Sequence, residues 1–128
     1  MTTASFTDYV ATQDARNSIQ LNVRKYTLML CVCLVDNFKS RNKGMVGDHP
    51  APVYKFYIES GRKYHRIIME TDGGSRSIHA FVDMKTGEVY KPASKGPAKH
   101  VRYDLRRIRD RQLLENKCDW SGGYLYMG

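Results

Sequence analysis

From Ile19 onward the apolar residues Ile19, Val23, Tyr26, Leu30, Cys33, Leu34 and Phe38 recur at three- and four-residue spacing, the period of one helical face. Thr7 or Asp8 offers a side-chain oxygen to cap a helix start, so residues 1–40 read as a helical segment. Leu28, Met29, Val32 and Val35 fall on other faces. The second half of the helix is therefore expected to be buried on more than one side, or else to be a buried strand. Gly44, Gly47, Asp48, Pro50 and Pro52 then mark residues 41–52 as a surface loop.

The period changes to two after this loop. Four strands are expected: Val53 to Glu59, Lys63 to Thr71, Arg76 to Met84 and Glu88 to Lys91. The turns Ser60-Gly61-Arg62, Asp72-Gly73-Gly74-Ser75 and Lys85-Thr86-Gly87 each supply a glycine for a positive φ, and such short connections give an antiparallel meander over 53–92. Pro92 and Pro97 end the fourth strand, since neither can donate to a ladder. Strict alternation puts Tyr54, Phe56, Ile58, His65, Ile67, Met69, Ile78, Ala80, Val82 and Val89 on a core face packed by the N-terminal helix. The other face receives Lys55, Tyr57, Tyr64, Arg66, Ile68, Ser77, His79, Phe81 and Tyr90. Asp104 caps a short second helix reaching about Asn116, and Trp120 to Tyr126 is a candidate edge strand. The expected fold class is α+β: an N-terminal helix on a four-stranded antiparallel meander, followed by a basic loop, a short basic helix and a tail over 95–128.

A chain of 128 residues holds one domain, and 41% hydrophobic content with 14 aromatic residues (Trp 1, Tyr 9, Phe 4) is that of a globular protein. The net charge is +8, and residues 95–111 contribute seven Lys or Arg against Asp104 and Asp110, a net of +5. Such concentration speaks to a partner more than to a fold. Three cysteines, two of them inside an apolar run, fit a reduced intracellular protein. The apolar run Tyr26 to Val35 is about half of the roughly 20 residues a membrane span requires, and the first residues lack a signal-peptide pattern. No membrane association is expected.

Aromatic rings and cations interleave on the second sheet face. That mixture suits nucleic acid, single strands above all: Tyr57, Tyr64, Phe81 and Tyr90 would stack bases, and Arg66 would neutralise phosphate beside them. Lys95, Lys99, His100, Arg102, Arg106 and Arg107 would extend the footprint through the basic loop and helix. Two blander readings stand beside this one. The rings can form a second core beneath Leu105 to Leu114 or Trp120 to Tyr126, and the arginines can be a solvated helix surface. Reaction chemistry is sparse. His79 and Asp83 share a strand face under strict alternation, with His65 a candidate neighbour, but a strand histidine is far more often structural. No Cys-x-x-Cys or paired-histidine spacing indicates a metal, Cys118 has no evident base, and the 72–75 turn precedes a strand and lacks the helix of a phosphate loop.

The segments GRKYHRI (61–67), GGSRSIHAFVD (73–83), TGEVYKPAS (86–94), GPAKHVR (96–102) and DWSGGYLY (119–126) resemble a group of small tailed-bacteriophage proteins without an assigned function. In that group a tryptophan often stands between the PAS and GPAK segments, whereas here Ser94 is followed directly by Lys95. The resemblance covers roughly the C-terminal half and implies a phage protein in the host bacterial cytoplasm or the virion; it carries over no catalytic residue. The expectation is a non-enzymatic accessory protein, without cofactor or metal, that binds DNA or RNA. The alternative is a protein-interaction module, either a host-takeover factor engaging an acidic bacterial protein or a virion component.

Overall fold

The computed structural model of the chain describes residues 6–41 and 54–126. The expected loop from 42 onward and the first residue of the expected first strand, Val53, lie outside the described residues. With neither glycine nor proline between them, residues 6–41 form one continuous helix, α1 (Phe6–Arg41), about 54 Å long at 1.5 Å per residue. This removes the strand reading of its second half. Thr7 and Asp8 sit within the first turn and not at a cap, and Ser40 and Arg41 extend the helix into the stretch expected to be loop.

One face of α1 is buried, through Val23, Thr27, Leu30, Cys31, Leu34 and Phe38. Thr27 Oγ1 donates to the Val23 carbonyl at 2.7 Å, so this hydroxyl is satisfied inside the helix. The expectation of burial on several sides is corrected: Leu28 (43%), Met29 (53%) and Val32 (59%) are exposed, because only one flank of α1 meets the sheet.

The meander forms as expected, with β1 (Tyr54–Ser60), β2 (Tyr64–Thr71), β3 (Arg76–Asp83) and β4 (Glu88–Tyr90) all antiparallel in sequence order. Gly74 and Gly87 take positive φ in their turns, whereas Gly61 does not. After β4 the chain makes a small hairpin, β5 (Pro92–Ala93) with β6 (Gly96–Pro97), then returns as β7 (Tyr103–Asp104) to pair with β4 as a fifth strand. The second helix, α2 (Ile108–Lys117), follows. Asp104 does not cap it. Arg107 is the N-cap and makes no side-chain cap bond, while Asp104 lies in β7, its carboxylate accepting from Arg106 N–H at 2.9 Å. The tail forms a 3₁₀ turn at Gly123–Leu125, not an edge strand.

The largest departure from strict alternation is a bulge. Ile67 pairs with Ala80 but Ile68 pairs with Ile78, so β3 carries His79 as an extra residue. One inserted residue exchanges the faces on either side of it. Ile78 therefore leaves the core for the second face, at 37% exposure, and His79 enters the core. There its ring packs edge-on to Phe56 (5.5 Å) and its Nε2 shares a 2.8 Å hydrogen bond with the Tyr124 hydroxyl.

The core face is closed by both helices and the tail: Val23, Leu30 and Leu34 of α1, Leu105, Leu114 of α2, and Tyr124 and Leu125 join Phe56, Ile67, Ala80, Val82 and Val89 in one cluster. Phe38, Tyr54 and Trp120 form an aromatic triad with centroids 4.8–5.3 Å apart, and Asn37 Oδ1 accepts the Trp120 backbone N–H at 3.0 Å. Tyr103 donates its hydroxyl to the Tyr124 carbonyl at 3.0 Å. Gly122, at φ 86°, lets the tail turn directly beneath the His79 ring, where an added Cβ would lie 3.6 Å from Cε1.

Burial lowers the His79 pKa to about 4, with Asp119 opposing the shift, and burial followed by Arg24 lowers that of His65. A histidine buried neutral favours folding fully above its unfolded pKa near 6.5, and that contribution is lost as pH falls toward the folded value. For His79 the span from 6.5 to about 4 corresponds to a contribution on the order of 3 kcal/mol. Urea denaturation should therefore show stability declining from pH 7 to pH 4.5. His79→Gln should be less stable at pH 7 and show a much flatter pH profile; an unchanged slope in that variant would exclude His79 as its source.

Candidate functional site

Helix α2 and the tail pack on the core face, so neither covers the second sheet face. That face divides into two regions with different availability. At its β1 end Tyr57 is committed: its hydroxyl donates to Glu70 at 2.9 Å and the Arg76 guanidinium lies 5.7 Å from its ring centroid. Arg76 also pairs with Glu59, and with Glu70 at 3.6 Å. This closed network removes Tyr57 from the set of stacking rings.

Across the middle and far edge, register builds a different arrangement. Arg66 pairs with Phe81 and Phe81 with Tyr90. Arg102 N–H donates to the Val89 carbonyl at 2.7 Å, and with Val89 opposite Tyr103 the next position sets Arg102 beside Tyr90. The result is a row, Arg66, Phe81, Tyr90, Arg102, in which two guanidinium side chains flank two rings. Tyr64 stands edge-on to both Phe81 (5.7 Å) and Tyr90 (6.1 Å), with Lys63 Nζ 5.4 Å from its ring centroid. Tyr64 and Tyr90 are partly exposed, while Phe81, expected to stack bases, is only 5% exposed; its ring is withdrawn from the stacking set and supports the row from below. Burial, followed by Glu88, Tyr64 and Asp83, raises the Tyr90 pKa, so this phenol is neutral across the physiological range.

The two arginines share one further property. The Nε atoms of Arg66 and Arg102 are buried without an acceptor, the only such side-chain atoms among the described residues. A buried donor left unpaired costs about 1–3 kcal/mol, so neither Nε contributes a hydrogen bond to the fold.

The loop 91–101 joins Tyr90 to Arg102 and is therefore rooted at this row. Lys95, Lys99 and His100 on it are exposed, Ala98 N–H ties back to the Lys91 carbonyl at 2.8 Å, and the β5–β6 hairpin lies against β3. Arg106 and Arg107 are elsewhere, at the opposite end of the β4–β7 pair. The Arg106 stem passes the Gly87 turn, 3.1 Å from where a Cβ would stand, and Arg107 pairs with Asp104 at 3.5 Å. Of the expected contact residues, the structure thus gathers Tyr64, Arg66, Phe81, Tyr90 and Arg102 with Lys95, Lys99 and His100 beside them; it separates Tyr57, Arg106 and Arg107. Lys63 was not in the expected set, although its position next to Tyr64 at the start of β2 is visible in the sequence.

The acid–base pair is not assembled. His79 is in the core, whereas Asp83 pairs with Tyr64 on the second face and its carboxylate accepts the N–H groups of Lys85 (2.8 Å) and Thr86 (3.1 Å). His65 binds Ser60 Oγ through Nδ1 at 2.6 Å. Burial, Cys33 and Asp119 push the Cys118 thiol up to about 12, far from a reactive thiolate. Among the described residues, no group of three His, Cys, Asp or Glu is placed to hold a metal ion, and no helix is long and apolar enough to cross a membrane.

Residues 6–127 match the profile of a family of unknown function (DUF7717), and the chain belongs to that family. No curated protein matches the chain, and no solved structure does.

Since the Arg66 and Arg102 Nε donors are unsatisfied, their charge can be removed at little cost to the fold. Arg66→Met and Arg102→Met should each leave the urea-derived stability within about 0.5 kcal/mol of the wild type or raise it, whereas Tyr103→Phe, losing its bond to Tyr124, should cost about 1 kcal/mol. Losses above about 2 kcal/mol in the Met variants would make these arginines structural.

Proposed function

We propose that this protein is a non-enzymatic nucleic-acid-binding accessory protein, acting through the Arg66–Phe81–Tyr90–Arg102 row and the basic loop rooted at it. The observation that carries the reading is the meeting of half-exposed rings with cations that have no acid partner. Arg76 and Arg107 are held in ion pairs, whereas among the described residues no acid pairs with Lys95, Lys99, Arg66 or Arg102. Lys95, Lys99, Arg66 and Arg102 are thus available to phosphates, and Tyr64 and Tyr90 offer surfaces on which bases stack at about 1–3 kcal/mol each. Such a surface favours unpaired strands, whose bases can reach the rings. The bacteriophage setting, in host cytoplasm or virion, rests on the resemblance carried by residues 61–126.

A second reading, docking on an acidic host protein, draws on the same free cations together with exposed Arg106 and Arg109 beyond the row. It predicts charge-dependent capture of a protein without affinity for oligonucleotides.

Fluorescence anisotropy with labelled single-stranded DNA and RNA of about 15 nucleotides, near the upper site size of a single binding surface, separates the two. Binding at low salt should weaken linearly in log–log form as salt rises. Lys95→Glu with Lys99→Glu should flatten that slope by about 1.4, two phosphate contacts on a single strand. Tyr64→Ala with Tyr90→Ala should weaken binding by about tenfold or more at unchanged slope. Absence of binding to single- or double-stranded DNA or RNA at low salt would discard the reading.

A further inference from the structure

The first third of α1 adds nothing to the hydrophobic core, although Arg16 lines a recess with Lys85, and Asn17 one with Ser60, His65 and Met84. Residues 6–18 are exposed apart from Gln13, and packing against the body begins at Ile19. At 1.5 Å per residue these 13 positions project about 20 Å. Little tertiary packing holds these residues helical, so a surface laid against them would stabilise the segment.

The exposed apolar residues of α1 identify that surface. Val10 (38%), Leu21 (67%), Leu28 (43%) and Val32 (59%) fall within one narrow arc at 100° per residue, on a flank turned away from the buried Val23–Leu30–Leu34 face. The arc runs along both the projecting part and the part anchored on the sheet. A seam of this kind is self-complementary when two copies pair antiparallel about a point near residues 19–20. Val10 of each copy then meets Leu28 and Met29 of the other, and Phe6 and Thr7 lie beside Val32.

Charge selects the same orientation. Asp14 and Lys25 flank the arc on the same side. Antiparallel pairing sets Asp14 of one copy against Lys25 of the other, twice, with Arg24 adjacent. Parallel pairing would set Asp14 on Asp14 and Lys25 on Lys25. Arg16 lies about 120° from Val10 and takes no part.

We infer that α1 is a homodimerisation element, two copies pairing antiparallel along the Val10–Leu21–Leu28–Val32 seam with reciprocal Asp14–Lys25 contacts. A two-fold interface of this kind closes on itself and leaves no open end for further growth. Each projecting helix is thereby covered by the anchored half of its partner.

Light scattering coupled to size exclusion should report about 30 kDa, twice the 14.8 kDa chain. Leu28→Glu and Val32→Glu, both at exposed positions, should yield monomers whose Trp120 fluorescence and circular dichroism of the folded body are retained. Asp14→Lys and Lys25→Asp should each raise the dimer dissociation constant by about tenfold or more, and the double exchange should restore it. A wild-type monomer at 100 μM would overturn the proposal, as would a dimer indifferent to Leu28→Glu and Val32→Glu. A double exchange that fails to restore pairing would overturn the antiparallel register. Oligonucleotide binding is read separately, so either proposal can fail alone.

Discussion

A single inserted residue in β3 organises the centre of this protein. A buried imidazole requires a hydrogen-bond partner, and Tyr124 supplies it from the last described turn of the chain. Tyr124 is itself 1% exposed and accepts at its carbonyl from Tyr103, which stands in β7. Strand, tail and returning strand are thus joined through two hydrogen bonds and one ring. Asp119 secures the turn by accepting from the Gly123 and Tyr124 N–H groups at 3.2 and 3.1 Å, and Gly122 supplies the backbone conformation that brings it under His79. With Ile78 in place of His79 on the core face, the tail would have an apolar contact and no directional one.

The parts of the fold that were legible in the sequence are those with a local cause. Alternation in 54–60, 64–71 and 76–83, with glycine turns between, specified the meander and nearly all of its core face. The bulge was not legible, because alternation continues on both sides of an inserted residue and only the partner strand records the slip. Strand β7 is two residues long, too short for any period, and lies within a tract whose charge masks it. The exposure of Leu28, Met29 and Val32 depends on which flank of α1 finds the sheet, a tertiary matter. For the candidate site, the rings and the loop cations were visible separately. Their meeting depended on the return of the chain from Lys91 to Arg102, and the exclusion of Arg106 and Arg107 on which end of β4 they reach.

The two surfaces with unmet requirements occupy different parts of the molecule. The guanidinium and phenol groups stand on the sheet face away from α1, and the apolar seam stands on the flank of α1 away from the sheet. The shared core keeps them apart, so a partner at one leaves the other accessible. Two copies joined through α1 would carry two basic loops on one particle, and a second contact with the same strand would then form at an effective concentration set by their spacing.

The loop from Lys91 to Val101 is fastened at its base, by the bonds from Ala98 to Lys91 and from Arg102 to Val89, while Ser94 and Lys95 at the hairpin tip are exposed. A residue inserted between them would land in solvent and disturb no ladder bond. The tip can therefore be rewritten, one residue or one charge at a time, without renegotiating the fold. In a lineage pressed to change partners, that is the segment where sequences should diverge first.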